Sequence, residues 1–235
     1  YVRSVQIERS NTEKVSDSNF SEESRPLFMI WSVELENNRR VLTLSSAVSI
    51  LSIGCAVPIE VGYKEGENIE NHEVRKWKNI FLPPELTRGI FSFIIQHTEG
   101  SLSTISKYDE GSINKLDHVV VNTNDANGFI DIYRDTFNIR LALDRVIEHW
   151  KTRMLFFRLN KTTIEVVEQK HNHENPDKLW GLAWEVESIK EAHERLTNDG
   201  IEITEVKKGI KENTLVATIK SHTNNVPTLL IEHLS

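Results

Sequence analysis

Two side chains in this sequence sit where their chemistry needs an explanation. Glu165 lies inside the apolar run TIEVV, and His118 opens the run HVVV. An ionised carboxylate among apolar neighbours is costly unless it is paired or coordinated. Such a carboxylate can act as a metal ligand or a general base, and the imidazole can act as a second ligand. Two plainer readings stand beside this one: His118 as a hydrogen-bonded core histidine, and Glu165 paired structurally with Arg158 or Arg140. Strand alternation selects the company these two keep. His118, Val120 and Asn122 share a parity, as do Arg140, Ala142 and Asp144 in one later segment and Met154, Phe156 and Arg158 in the next. The concavity they predict is lined by His118, Asn122, Arg140, Asp144 and Arg158, with Glu165 and Glu232 from the closing strands. Asn122, Arg140, Arg158 and Glu232 are thus expected to contact substrate.

Other candidates carry less. His171 and His173 in HNHENP have H-x-H spacing but occupy a polar, proline-terminated linker with no further ligand nearby, which reads as solvated. The single cysteine, Cys55, excludes an intramolecular disulfide framework and reads as a small buried hydrophobe. No glycine-rich phosphate loop and no nucleophile-elbow motif occurs.

The elements that must position these residues are written twice. Strand, helix and three strands run as LDHVVVNT, DANGFIDIYRDTF, IRLALDR, TRMLFFRLN and TTIEVVEQ, then again as LWGLAWEV, SIKEAHERLTNDG, IEITEVKKG, TLVATIK and VPTLLIEHL. A repeated unit of about 55 residues shows how a core is assembled and lets one copy be read against the other. In the first helix Phe129, Ile132, Tyr133 and Phe137 make one apolar stripe behind Asp125, a suitable N-cap. In the second, Ser188 and Glu191 form a capping box, Ile189, Ala192 and Leu196 the stripe, and Gly200 the close. Each helix is expected to cover one face of its own strands. Aligning the helix starts places His118 over Gly181 and Asn122 over Glu185; the last strands align Glu165 over Leu230 and Val167 over Glu232. Trp180 and Trp184 read as core packing.

Upstream the text changes. Residues 1–113 offer the strand candidates VRSVQIE, LFMIWSVEL, RVLTLSSAVSILSI and GIFSFIIQH, with one helical turn expected in LPPELTRG. The polar stretch ISKYDEGSINK marks a boundary, giving a β-rich domain over 1–113 and the repeat pair over 114–235. A net charge of −7 over 235 residues argues against nucleic acid or an anionic membrane as partner, and no apolar run is long enough to span a bilayer. A soluble, cytoplasmic protein is the expectation.

A doubled βαβββ unit with His in its first strand (LDHVVV) and Glu in its fourth (TTIEVVE) resembles the vicinal oxygen chelate superfamily, which includes glyoxalase I, extradiol dioxygenases and bleomycin-resistance proteins. The wording RLALDR, RMLFFR, TIEVVE, LWGLAWEV and VPTLLIE is similar to uncharacterised bacterial glyoxalase-like proteins. The resemblance covers Leu116 to about Leu234. It implies an α+β fold in which paired βαβββ modules form a U-shaped curved sheet around a central pocket. It implies that His118 and Glu165 occupy metal-ligand positions for a divalent ion such as Fe, Mn, Ni or Zn, with Glu165 as ligand or catalytic base. It implies a small substrate with vicinal oxygens, Arg158 holding its charge, and a homodimer. The second module departs from the pattern, offering Gly181 and Leu230 where ligands are wanted. That leaves half a metal site, with Glu232 or a residue from 1–113 as sources of a third ligand, and it keeps open a metal-free binding protein of the bleomycin-resistance type. Residues 1–113 are then either a degenerate pair of modules or a different β-rich domain.

Overall fold

The computed structural model describes residues 2–6, 29–33, 61–69, 72–100, 111–148, 150–169 and 176–234, the first two stretches by backbone alone. The candidate strand RVLTLSSAVSILSI, Cys55, His171 and His173 lie outside the described residues. The chain forms two compact units, one drawn from Tyr1–Ser101, Asn127–Asn138 and His173–Asp177, the other from Leu102–Ala126, Ile139–Asn172 and Lys178–Ser235. Among the described residues no helix is long and apolar enough to cross a membrane.

The first unit holds a sheet of β1 (Val2–Gln6), β2 (Met29–Val33), β3 (Gly62–Glu67), β4 (Val74–Phe81) and β5 (Ser92–Glu99). Its order is β1-β2-β5-β4-β3, with β2 parallel to β5 and the other pairs antiparallel. Ile80 and Ile94 face each other across β4 and β5 and are fully or nearly fully buried. GYKEGE and VRKWKNIF did not stand out as strands because charged residues and glycines outnumber the apolar ones, so the apolar signal is thin. Between β4 and β5 the chain makes α1 (Pro84–Thr87), opened by a proline and closed by Arg88 in the left-handed conformation, matching the single turn expected in LPPELTRG.

The second unit is one eight-stranded sheet in the order β11-β12-β13-β10-β6-β9-β8-β7, open and curved. Its first module runs β6 (Ile113–Thr123), α2 (Ala126–Ile130, continued as a π-helical turn over Asp131–Thr136), β7 (Arg140–Ile147), β8 (Thr152–Leu159) and β9 (Thr162–Glu168). Its second runs β10 (Asp177–Val186), α3 (Ile189–Asn198), β11 (Lys207–Lys208), β12 (Thr214–Ile219) and β13 (Thr228–His233). In each module the first strand lies parallel to the last, and the last closes an antiparallel meander. The two first strands, β6 and β10, meet at the centre. Strands β2, β5, β4 and β3 of the first unit repeat the same module order.

The helices follow different rules. Helix α3 is capped by Ser188, whose hydroxyl accepts from the Glu191 amide, and it packs Ile189 and Ala192 onto Val186, Ala217 and Leu230. Helix α2, from Asn127 on, clusters with the first unit instead of with the strands of its own module. Its buried set is Ala126, Phe129, Ile130 and Tyr133, with Phe129 stacked on Tyr133 at 3.9 Å. The π-helical turn explains why Ile132 and Phe137 are less buried than a regular stripe requires: the Phe137 amide bonds to the Ile132 carbonyl, five residues back, so the faces rotate.

Register corrects the alignment of the two copies. Val120 sits opposite Glu165, and its counterpart Ala183 sits opposite Leu229. The structural counterpart of Glu165 is therefore Leu229 and not Leu230, and that of Glu168 is Glu232. The helix starts agree: the Ala126 amide donates to Glu168 Oε1 at 3.0 Å and the Ile189 amide to Glu232 Oε2 at 2.7 Å.

Candidate functional site

Directly opposed residues of neighbouring strands share a face. With His118 opposite Thr163 and Val120 opposite Glu165, the imidazole and the carboxylate project from the same side of the sheet. Their polar ends approach, with His118 Nε2 at 3.8 Å from Glu165 Oε2. That is too far for a hydrogen bond and close enough for strong electrostatic coupling. The other ring nitrogen, Nδ1, lies 2.8 Å from Asp117 Oδ2. The second oxygen of that carboxylate, Oδ1, lies 2.9 Å from His233 Nε2 on β13. One carboxylate therefore accepts from two imidazoles, one from each module. His233 Nε2 is also 3.4 Å from Glu185 Oε2 on β10, and that oxygen is 2.8 Å from Lys115 Nζ on β6.

The cluster is withdrawn from water without being sealed: side-chain exposure runs from 17% at Asp117 and His118 to 31% at His233. Burial pushes the Asp117 carboxyl up, but the hydrogen bonds from His118 and His233 and the charge they can carry outweigh it, holding the group well below the usual carboxylate range. Burial raises Glu165, which has no comparable hydrogen bond; the charge His118 can carry opposes the shift and Asp117 reinforces it. The two acids flanking His118 are thus driven in opposite directions, a pattern associated with separate proton-handling roles.

Of the residues expected to line this face, Asn122 does so, half-buried on the parity of His118. Arg158 and Arg140 oppose each other on β8 and β7 and continue the same face outward; both are exposed, and Arg158 Nη1 donates to Thr163 Oγ1 at 2.8 Å. Neither arginine is recorded in an ion pair with Glu165. Asp144 is a correction. A bulge between Leu141 and Leu143 shifts β7 by one, so Asp144 opposes Leu155 on the other face and pairs with Arg153 at 2.7 Å. Glu232 is a second correction. It lies on the face of Leu230 and Trp184, and its carboxylate holds the first amide of α3, so it does not join the site. Gly181 fits its backbone surroundings: a Cβ there would meet the Pro227 carbonyl at 2.8 Å, leaving no room for a ligand side chain. Trp184 packs against the α3 core, whereas Trp180 is half exposed.

Asp117, Glu185 and His233 were not singled out in the sequence. Glu185 carried a signal, since it interrupts the apolar strand LAWEV much as Glu165 interrupts TIEVV. Asp117 and His233 gave none, because each lies at the polar end of its run.

Two donor sets lie side by side. Asp117, Glu185 and His233 each offer a ligand atom, all within 4.8 Å of one another. His118 Nε2 and Glu165 offer a second nitrogen–oxygen pair. Carboxylate oxygens with imidazole nitrogens suit a borderline divalent ion such as Mn, Fe, Ni or Zn, so the residues present fit such an ion.

The paired βαβββ modules share one open, curved α+β sheet, with imidazole and carboxylate on its central strands. The model of the Glyoxalase/Bleomycin resistance protein/Dioxygenase superfamily matches residues 117–218, and this segment belongs to that superfamily. No curated protein matches the chain. Among solved structures, methylmalonyl-CoA epimerase from Mycobacterium tuberculosis is similar at 17% identity over 52% of this chain and 90% of its own, with a TM-score of 0.44. A Streptomyces coelicolor methylmalonyl-CoA epimerase variant in complex with 2-nitronate-propionyl-CoA is similar at 14% identity, covering 53% of this chain and 100% of its own, with a TM-score of 0.44. A hypothetical protein from Bacillus halodurans C-125 is similar at 18% identity, covering 52% and 95%, with a TM-score of 0.43.

Proposed function

We propose that the face shared by β6, β9, β10 and β13 binds a divalent cation together with a small substrate bearing adjacent oxygens, as a glyoxalase- or dioxygenase-type protein. The observation that carries this reading is the convergence of Asp117, His118, Glu165, Glu185 and His233 from these four strands, with three ligand atoms within 4.8 Å of one another. His118 through Nε2, Glu165 and Glu185 supply the donors, with Asp117 and His233 hydrogen-bonded beside them. A bound ion would polarise the substrate oxygens. Glu165, its carboxyl raised by burial, is the group suited to take a proton from a carbon that bears one of these oxygens. Asn122 lies within the same face for hydrogen bonding, and Arg158 and Arg140 bring positive charge at its outer strands for an anionic substrate.

A metal-free small-molecule binder is the second reading, and one observation favours it. The triad's charges already have protein partners: Lys115 on Glu185, and two imidazoles on Asp117. Elemental analysis of purified protein after supplementation with Mn, Fe, Ni or Zn separates the two. The metal reading expects one ion per chain, lost in His118→Ala and in Glu165→Ala. A wild-type protein that takes up no ion leaves the binder.

A further inference from the structure

We infer that Asp117 is the positioning residue of this site, setting two histidines in opposite tautomers. The inference rests on the proposed role of His118 but not on any ion being bound. A neutral imidazole carries its proton on one nitrogen, and the nitrogen that donates to an acceptor is the one that keeps it. Asp117 accepts at His118 Nδ1 through Oδ2, at 2.8 Å, and at His233 Nε2 through Oδ1, at 2.9 Å. A carboxylate has no proton to give, so both bonds run from ring to oxygen. His118 is thereby held as the Nδ1–H form, with the Nε2 lone pair turned toward the 3.8 Å gap before Glu165. His233 is held as the Nε2–H form, with Nδ1 turned away.

Without Asp117, His118 has no recorded acceptor at Nδ1, and its proton would be drawn to Nε2 by the Glu165 carboxylate. That blocks the lone pair a ligand or a proton acceptor needs. His233 differs, because Glu185 Oε2 at 3.4 Å remains as an alternative acceptor for Nε2–H. The same substitution should therefore switch one ring and spare the other.

The test is imidazole 15N NMR on metal-free protein with labelled histidines, at a pH where the rings are neutral. The expected wild-type spectrum shows His118 with an unprotonated Nε2 and His233 with an unprotonated Nδ1. Asp117→Leu, which leaves no acceptor at that position, is expected to move the His118 Nε2 resonance toward the protonated position while the amide spectrum stays folded. A wild-type His118 already protonated at Nε2 would overturn the inference, as would an unchanged His118 in a folded variant. Should the variant not fold, the wild-type tautomers decide alone. Metal content plays no part in this readout, so a protein that binds no ion can still confirm or sink the role of Asp117.

Discussion

At the scale of single residues, the site is a chain of unequal acids. Asp117 is depressed and Glu165 is raised, although both touch the same imidazole. The difference follows from hydrogen bonding: Asp117 receives two, whereas the nearest ring nitrogen stops 3.8 Å short of Glu165. A group whose folded pKa is raised favours folding while protonated, and this contribution is lost as pH climbs through the folded value. Ionised Glu165 therefore costs the native protein stability at neutral pH. Glu165→Gln is expected to melt at a higher temperature than wild type at pH 7 in metal-free buffer. The advantage should shrink as pH falls below the Glu165 ionisation. Thermal denaturation across pH 4 to 8, read by circular dichroism, checks this (roughly the window of a raised carboxyl); a lower melting temperature at pH 7 would remove the burial argument. His118 and Glu165 were legible in the sequence because apolar runs expose a misplaced charge. Of their three neighbours Glu185 carried a comparable signal, whereas Asp117 and His233, each at the polar end of an apolar run, carried none.

At the scale of elements, both helices begin on a carboxylate borrowed from the last strand of their module. Glu168 and Glu232 take the first amides of α2 and α3, a bond assisted by the positive end of the helix. Removing such a cap costs about 1 kcal/mol. Glu232→Ala should lower stability by about that much in urea titration, and by a similar amount to Ser188→Ala, while leaving ion uptake unchanged. A Glu232 variant that lost the ion would return this residue to the site. The doubled text located the strands and helices of the two modules, except that IEITEVKKG forms only the two-residue β11, Lys207–Lys208. It could not register them. One extra residue in the second copy slid the last strands past each other, and one bulge in β7 turned Asp144 over. A side-chain period of two makes either slip exchange the faces.

At the scale of the whole molecule, the first unit recruits pieces from far along the chain. Arg88, beside α1, pairs with Asp177 at 2.8 Å, and that carboxylate is fully shielded from water. Breaking such a pair strands a charge and costs about 3–5 kcal/mol. Arg88→Ala should therefore destabilise the protein by that order in denaturant. Replacing both partners by apolar residues should cost much less; equal losses would mean the pair is not the cause. None of this was visible beforehand, because the 89 positions separating Arg88 from Asp177 hide the pairing from any local pattern. The four-strand order within 29–99 was likewise concealed, since GYKEGE and VRKWKNIF carry too few apolar residues to be recognised.

The paired helix caps have a bearing on how such a duplicated sheet can change. The surplus residue of the later copy falls between helix start and closing strand, and the ladder absorbs none of it: the carboxylate still meets the same amide. Length is free to drift in the connecting turns, while the hydrogen-bonded grid behaves as a fixed ruler. Tinkering with such a protein is best done in the turns, and two copies should be compared by what each side chain grips, not by counting letters.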